Sequence, residues 1–240
     1  MDPMLSKALR EFNSGPLNQL LVNLGGTEAE LWDTQLKHFL RKEQCWASPL
    51  PAVSQREAQT INFTRCYHEL GMDQEYADFL TAHPPQFVDG CWGIPVLKGV
   101  TPNKVVKVLR RLNVAMSLYF EDLDKSVTIN DRDPKDGSYW IQCTATIEAD
   151  EENKNLSANM LAERGTKGLT LLERLLLELA YWLTTTKHLD IKNITLCSGS
   201  RYSDGSVPSV GWGSDYREVC VDWYSPDSRG GRIRARTVRQ

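Results

Sequence analysis

Residues 170–183 read Thr-Leu-Leu-Glu-Arg-Leu-Leu-Leu-Glu-Leu-Ala-Tyr-Trp-Leu, and this stretch decides the fold class of the chain around it. Thr170 and Glu173 have the spacing of a capping box, in which each side chain accepts a hydrogen bond from the backbone N–H of the other residue. The helix that begins there is apolar on almost every side, so most of its surface must be buried. We predict that it is the central core helix of a domain.

The residues on both sides of this helix mix helical and strand patterns. Thr101-Pro102 predicts a helix start, with threonine as the N-cap and proline at the first helical position. Residues 139–147 alternate between apolar and polar side chains, which predicts a strand with one buried face. Shorter strands are predicted at 94–97 and 115–120. We therefore expect an α+β fold for a C-terminal domain that covers residues 86–240.

The first third of the chain predicts a mostly helical segment. Thr27–Glu30 and Ser54–Glu57 both have the capping-box spacing, and each precedes a helical pattern. A further helical stretch at 73–82 runs into Pro84-Pro85. Because the residue before a proline disfavours the helical conformation, we expect the domain boundary there. Residues 1–85 are then an N-terminal helical segment whose large apolar side chains pack within the protein.

Composition and charge argue against several function classes. The chain has 240 residues, 41% of them hydrophobic and 25% charged, as in an ordinary globular protein. Twenty-eight basic and 31 acidic residues give a formal net charge of −3, which argues against a protein whose whole body binds nucleic acid or an anionic membrane. The first 30 residues lack a secretory-signal pattern, and charges interrupt the apolar stretch 169–183. We expect a cytoplasmic protein without a membrane span.

Metal, cofactor and catalytic constellations are not expected. None of the six cysteines is in a C-x-x-C pair, and the four histidines are scattered. The loop with Asp131, Asp133 and Asp136 resembles half a calcium loop. Lys135 stands where an oxygen ligand belongs, so a plain acidic turn is predicted. His188 follows the central helix, whose C-terminus favours such a group. No Gly-x-Ser-x-Gly elbow occurs, and we expect a protein that is not an enzyme.

Residues 198–232 differ in composition from the rest of the chain. Eight Ser, six Gly, four Asp and three Tyr fall among these 35 residues, interleaved with valines and tryptophans that a disordered tail would lack. Val219, Val221 and Trp223 are predicted to share one face of a strand, and the residues between them the other face. A surface of Tyr, Ser, Asp and Gly is what antibody loops use, so we predict ligand binding. A Gly-rich meander without a partner is the alternative.

Several motifs, taken in order, resemble a known fold. Gly168–Glu173 opens the long helix, Gly199-Ser-Arg and Asp204-Gly205 follow, and after Trp212 the chain ends in Arg-x-Arg-x-Val-Arg. This order is similar to the C-type-lectin fold in its formylglycine-generating-enzyme-like form. The resemblance implies two helices packed against short twisted antiparallel strands, and it covers residues 137–240.

The chain also resembles a group of bacterial proteins of unknown function through two shorter motifs. These are Phe-Leu-Arg-Lys-Glu-x-x-Trp at 39–46 and Ser-Gly-Ser-Arg-x-Ser-Asp-Gly-x-Val-Pro-x-Val-x-Trp at 198–212. Several proteins of this fold are variable proteins of diversity-generating retroelements, in which adenine-directed mutagenesis rewrites codons for surface residues near the C-terminus. The resemblance implies a diversified surface, although asparagine, a common product of such mutagenesis, is absent from 198–232.

Carrying the pattern over position by position assigns residues of 198–232 to two sets. Those expected to form the scaffold are Gly199, Arg201, Gly205, Val207, Pro208, Val210, Trp212, Val219, Val221 and Trp223. Those expected to point outward and bind the ligand are Tyr202, Ser206, Ser209, Ser214, Asp215, Tyr216, Glu218, Asp222, Tyr224, Ser225, Asp227 and Ser228. The expected ligand is a protein, a glycan or another small molecule. The sequence does not fix the oligomeric state.

The last residues are rich in arginine. Five arginines and no acidic residue lie between Arg229 and Arg239. In a strand, Ile233 and Ala235 would face inward and the arginines outward. Nucleic-acid binding through this strand is one alternative function, with aromatic residues as stacking groups. The expected role is structural, through ion pairs with the acids nearby in sequence, which are Asp204, Asp215, Glu218, Asp222 and Asp227.

An enzyme of the formylglycine-generating or sulfoxide-synthase type is the other alternative that the resemblance implies. The first type uses a closely spaced cysteine pair, whereas Cys197 and Cys220 are 23 positions apart. The second type needs a histidine-rich iron site, which four scattered histidines do not provide. We therefore expect a binding protein that lacks a recognisable active site.

Overall fold

The structure, a computed structural model, describes residues 29–40, 61, 63–85 and 88–239. The chain divides into two compact units, residues 1–53 and 54–240. In the first unit the structure describes one helix, α1 (Ala29–Leu40). The predicted capping box at Ser54, the first two residues of the one at Thr27 and all but the first two residues of the 39–46 motif lie outside the described residues.

The second unit alternates helices and strands, which confirms the α+β prediction. None of the described helices has the length and apolar character needed to cross a bilayer. The helices are α2 (Phe63–Glu69), α3 (Asp73–Ala82), α4 (Pro102–Arg111), α5 (Leu123–Ser126), α6 (Ala158–Glu163) and α7 (Leu171–Thr185). The strands are β1 (Cys91–Val96), β2 (Met116–Leu118), β3 (Val127–Asn130), β4 (Tyr139–Thr144), β5 (Ile194–Leu196), β6 (Ser200–Tyr202), β7 (Val207–Gly213), β8 (Glu218–Tyr224) and β9 (Ile233–Arg234).

Helix α7 is the central core helix that the sequence predicts. The Glu173 N–H donates to Thr170 Oγ1 at 3.3 Å, and the Thr170 N–H donates to Glu173 Oε2 at 2.7 Å, so both halves of the capping box form. The helix packs against α2, α4, β1 and β7. It ends at Thr186, whose backbone is left-handed with φ of 56°. Almost all of its side chains are buried, the charged ones included.

The strands form three sheets. The largest has the order β2-β8-β7-β5-β9, and two smaller ones pair β1 with β4 and β3 with β6. Strands β7 and β8 are antiparallel neighbours along their whole length, from Val207 opposite Tyr224 to Gly213 opposite Glu218. The pairs β2–β8 and β5–β9 are parallel, which differs from the antiparallel strands that the resemblance implies.

Helices α2 and α3 belong to the second unit, although the sequence assigns them to the N-terminal segment. Phe63 and Phe79 lie in the same buried core as the leucines of α7. The Tyr67 hydroxyl donates to the Pro95 carbonyl at 2.7 Å. Pro84-Pro85 therefore follows the end of α3 without interrupting the core, and the chain divides between residues 53 and 54 instead.

A buried ion network ties the sheet to α7 and to the segment that follows the last strand. The Asp190 carboxylate accepts hydrogen bonds from Arg174 Nε at 3.0 Å and from Arg236 Nη2 at 2.7 Å. The Thr195 hydroxyl donates to the same carboxylate. Arg174 also donates to Glu178 at 2.8 Å, and the side chains of both arginines and both acids are fully buried. Two positive and two negative charges thus balance inside the unit.

Arg234 and Arg236 do not line an outer surface, contrary to the expectation from alternation. Both are buried, because the last strand lies at the edge of the sheet beneath the segment 146–152. Arg236 donates to two backbone carbonyls of that segment, and Arg234 pairs with Glu151. The arginines are ion-paired as expected, but with Asp190, Glu151 and Glu152 instead of the acids that follow residue 200.

Replacing Thr170→Ala should destabilise the second unit, because the Glu173 N–H at the start of α7 would lose its acceptor in a buried position. We expect a loss of about 1–2 kcal/mol in the free energy of unfolding, measured by urea denaturation. Thr81→Ala, at an exposed threonine in α3, is the matched control and should change stability by less than about 0.5 kcal/mol. Equal effects would show that the capping box does not stabilise α7.

Replacing Asp190→Asn should cost roughly 3–5 kcal/mol at pH 7, because Arg236 would keep its buried charge without an acidic partner and Arg174 would keep only Glu178. Burial alone would raise the Asp190 pKa, but the charges of Arg236 and Arg174 outweigh it and hold the pKa below its usual value. A carboxylate of this kind contributes stability above its unfolded-state pKa, about 3.9, and loses it as the pH falls through its lower folded-state pKa. The difference between wild type and variant, measured by urea denaturation, should shrink below about pH 4. A difference that persists at low pH would contradict the ionic role.

Candidate recognition surface

The β7–β8 hairpin has one face that belongs to the core. Val210 lies opposite Val221, and Trp212 lies opposite Val219. The three valines are buried in the main hydrophobic core, which contains the leucines of α7. Residues that alternate with them must point away from the core. Val219 and Val221 therefore lie on one face of β8 and the residue between them on the other, as the alternation predicts.

The opposite side of the hairpin, which we call the outer face, holds an open groove of about 190 Å³. On this face Ser209 lies opposite Asp222, and Gly211 lies opposite Cys220. The groove is lined by Ile194, Ser209, Gly211, Trp212, Gly213, Cys220, Asp222, Tyr224 and Arg232. A side chain at Gly213 would place its Cβ 3.0 Å from Cys220 Sγ, so this part of the groove depends on glycine.

The groove offers hydrogen-bonding groups and one charge of each sign. Asp222 is exposed, and Arg232 donates its Nε–H to the Lys192 carbonyl at 3.2 Å. Burial, and then Asp222, raise the pKa of the Tyr224 hydroxyl. Burial also raises the pKa of the Cys220 thiol, with Glu218 and Asp222 adding to the shift. The hydroxyl and the thiol are therefore neutral at physiological pH, and the thiol is a weak nucleophile.

The hairpin turn extends the outer face into solvent. Ser214, Asp215, Tyr216 and Arg217 are all exposed, and Tyr216, at 79%, is the most exposed of the large hydrophobic residues in the described part of the chain. Arg217 has a left-handed backbone with φ of 55°, which closes the turn. Tyr216 thus presents most of its surface to solvent, three residues after Gly213, which lines the groove. This position agrees with the predicted outward orientation of residues 214–216.

The loop after β8 is exposed but held by its own hydrogen bonds. Asp227 accepts from Asn159 Nδ2 at 2.7 Å, which anchors the loop to α6. The Ser228 N–H donates to the Ser225 carbonyl at 2.9 Å. Ser225 and Asp227 are exposed, and Ser228 is half-buried. These three residues form a fixed rim, and their side chains have less freedom to meet a ligand than those of the turn.

Three residues that the sequence assigns to the ligand side are buried. Tyr202 is 1% exposed, and its ring centre lies 4.8 Å from that of Phe120, because β6 is covered through its pairing with β3. The Ser206 hydroxyl donates to Asp204 at 2.6 Å within a tight turn. Ser209 lines the groove but is itself buried. Tyr202 and Ser206 therefore belong to the scaffold, and Ser209 to the floor of the groove.

Trp223 is exposed, although the sequence analysis assigns it to the scaffold. It is 41% exposed, and its ring centre lies 5.8 Å from that of Tyr119, which is itself exposed. Strand β2 ends at Leu118, so the sheet has no neighbouring strand to cover Trp223 on that side. The two rings form an exposed aromatic pair next to the hairpin.

A stack of aromatic rings holds the base of the hairpin. The His188 ring lies between Trp182 and Trp212, with ring centres 4.7 and 3.8 Å away. Its Nδ1 atom lies 2.8 Å from Glu178 Oε1. No group of three metal-ligating side chains occurs within the described part of the chain. His188 therefore positions Trp212, a role that the sequence does not predict because its partners come from two distant segments.

The sequence analysis also did not predict that Arg232 lines the groove. The sequence predicts that the Arg232 side chain pairs with an acid, whereas it lines the groove together with Asp222 and donates to the Lys192 carbonyl. The only available signal was its place in the alternation with Ile233.

Comparison of the chain with protein-family models, with curated proteins and with solved structures finds no match to any of them.

Proposed function

We propose that this protein is a non-catalytic ligand-binding protein that presents the outer face of β7–β8 and its turn on a C-type-lectin-like scaffold. One observation carries the proposal, namely that the two faces of the hairpin differ in their roles. Val210 and Val221 fix the inner face in the core, while Asp222 and Tyr216 stand free of it on the outer side. Ligand contacts at these outer positions can form without disturbing the core.

The chemistry of the outer face suits recognition. Tyr216 supplies a large ring with a hydroxyl, and aromatic residues of this kind dominate binding energy at interfaces. The groove is lined by both the Asp222 carboxylate and the Arg232 guanidinium. A ligand that carries both hydrogen-bond donors and acceptors would match this arrangement. The neutral Cys220 thiol adds a small apolar contact at the centre.

The two alternative functions find less support in the same residues. Arg234 and Arg236 are buried in ion pairs, which leaves too few free arginines on the last strand for a phosphate-binding track. Cys197 is buried, and burial raises the pKa of its thiol, so it lacks the reactive thiolate that cysteine catalysis requires. These features favour binding over nucleic-acid recognition or catalysis.

We further propose that the outer positions are diversified. Sequencing the 3′ end of the gene across a natural population should find substitutions concentrated at adenine-bearing codons of exposed residues such as Tyr216 and Asp222. Codons for Val219, Val221 and Gly213 should stay constant, because the core and the groove floor need these residues. Substitution rates on the outer face that equal those of the core would contradict diversification and leave a fixed binding surface.

Binding through the outer face is tested by the double variant Tyr216→Ala, Asp222→Ala. Ligands selected with the wild-type protein from a random-peptide phage library and a glycan array should bind this variant at least about 30-fold more weakly, because an interface anchor is typically worth 2 kcal/mol or more. Its melting temperature should stay within about 2 °C of the wild type, since both residues are exposed. Tyr224 is left intact because its ring packs on a small apolar cluster.

Tyr119→Ala provides the matched control, since it removes an exposed tyrosine that lies outside the groove and the turn. The selected ligands should bind this variant within about twofold of the wild type, as expected for a residue outside the interface. Equal losses in the control and the double variant would place binding elsewhere. Unchanged binding of the double variant would overturn the proposal.

A further inference from the structure

A second cavity, remote in sequence from the hairpin, lies beside the N-terminal end of α4. Its volume is about 100 Å³. It is partly open to solvent and is bordered by the turn before α4, by α5 and β3, by the loop that follows β3, and by one leucine of α7. The lining residues are Gly99, Val100, Thr101, Pro102, Leu123, Asp124, Val127, Asn130, Arg132, Asp133, Pro134, Lys135 and Leu172.

The floor of this cavity is apolar. Leu123, Val100 and Leu172 are buried members of the main core, and Val127 packs against that core. Apolar cavities stay dry and bind apolar groups, and a cavity of about 150 Å³ holds benzene, which has six carbons. By proportion, a cavity of about 100 Å³ holds about four carbons. The floor therefore fits a short aliphatic chain.

The polar side of the cavity is held in place by the core. Arg132 donates to Glu173 at 2.7 and 2.8 Å and to the Gly168 carbonyl at 2.7 Å. The side-chain oxygen of Asn130 accepts a hydrogen bond from the Ser200 hydroxyl at 2.6 Å, and this bond does not use the amide NH₂ group of Asn130. These bonds fix the two side chains before any ligand arrives, and a site ordered in advance loses less entropy on binding.

The charges around the cavity are balanced. Arg132 and Lys135 are positive, and Asp124 and Asp133 are negative. Asp124 accepts the Asn103 N–H, and Asp133 accepts the Lys135 N–H, both at 2.9 Å. Arg132 is already paired with Glu173, and Lys135 with Asp133, so a charged ligand gains little net attraction, whereas an uncharged group that both donates and accepts hydrogen bonds can meet polar partners of both kinds.

We propose that this cavity is a binding site for a small molecule that carries a straight aliphatic chain of about four carbons and an uncharged hydrogen-bonding head, such as a primary amide. The chain lies on Val100, Leu123, Val127 and Leu172, and the head meets Asn130 and the charged rim. This site is independent of the recognition surface proposed above, so either proposal can fail without the other.

The test titrates the full chain with straight-chain primary amides from acetamide to octanamide, followed by NMR chemical shifts. Affinity should rise about fourfold with each methylene up to a chain of about four carbons beyond the amide and then level off or fall. Carboxylates and amines of the same length should bind at least about tenfold more weakly, since burying a charge costs more than burying a neutral polar group. Affinity that is independent of chain length, or equal for charged heads, would overturn the proposal.

Two variants locate the site. Val127→Phe fills the cavity and should abolish binding of every amide, while Leu172→Val enlarges it and should move the optimum to a chain one carbon longer. Leu176→Val, which shortens a buried leucine of the same helix that does not line the cavity, is the matched control and should leave the optimum unchanged. The same shift in the control, or full binding to Val127→Phe, would contradict the assignment. The wild-type series decides the proposal even where a variant does not fold.

Discussion

The Asp190 carboxylate, held between the buried guanidinium groups of Arg174 and Arg236, is the interaction on which the rest of the structure depends. It joins three parts of the chain, namely α7, the loop before β5 and the segment that follows β9. Charges are expensive to bury, and an incomplete ion network is worse than an apolar core. The four charged groups are therefore tolerated only together, and Glu178, which neutralises Arg174 from the same helix, is as necessary as Asp190.

This internal network explains why the hairpin can have a free outer face. Arg236 and Thr195 hold the edge of the sheet from inside, and the His188 ring stacked on Trp212 holds the base of the hairpin. Strands β7 and β8 are thus fixed by contacts on their inner face and by backbone pairing. The exposed outer side chains, those of Asp222 and of the turn at 214–217, add little to folding, since a surface residue without special contacts contributes at most about 0.5 kcal/mol. A surface with this property can change its sequence while the scaffold persists.

Sequence reasoning succeeded where the determining contacts are local. The capping box of Thr170 and Glu173 involves two residues three positions apart, and the burial of Val219 and Val221 follows from alternation within one strand. It failed where burial depends on distant segments. Tyr202 is covered because β6 pairs with β3, more than 70 positions earlier in the chain, and Arg236 finds its acid 46 positions away. A pattern of side chains along one strand does not reveal which strand will lie beside it.

The cavity and the groove differ in how freely evolution can change them. Glu173 accepts hydrogen bonds from Thr170, Arg132 and Tyr139, so the carboxylate that begins the central helix also fixes the polar wall of the cavity. Leu172 serves both the core and the cavity floor. A substitution there changes ligand fit and stability at once, which restricts the cavity to one kind of ligand. In the groove, neither Asp222 nor Arg232 packs in the core. A substitution at either residue can therefore change the contacts of the groove with a ligand without a loss of core packing. The proposed small-molecule site and the proposed recognition surface are therefore compatible in one unit, because the residues of one belong largely to the core and those of the other lie on the outer face.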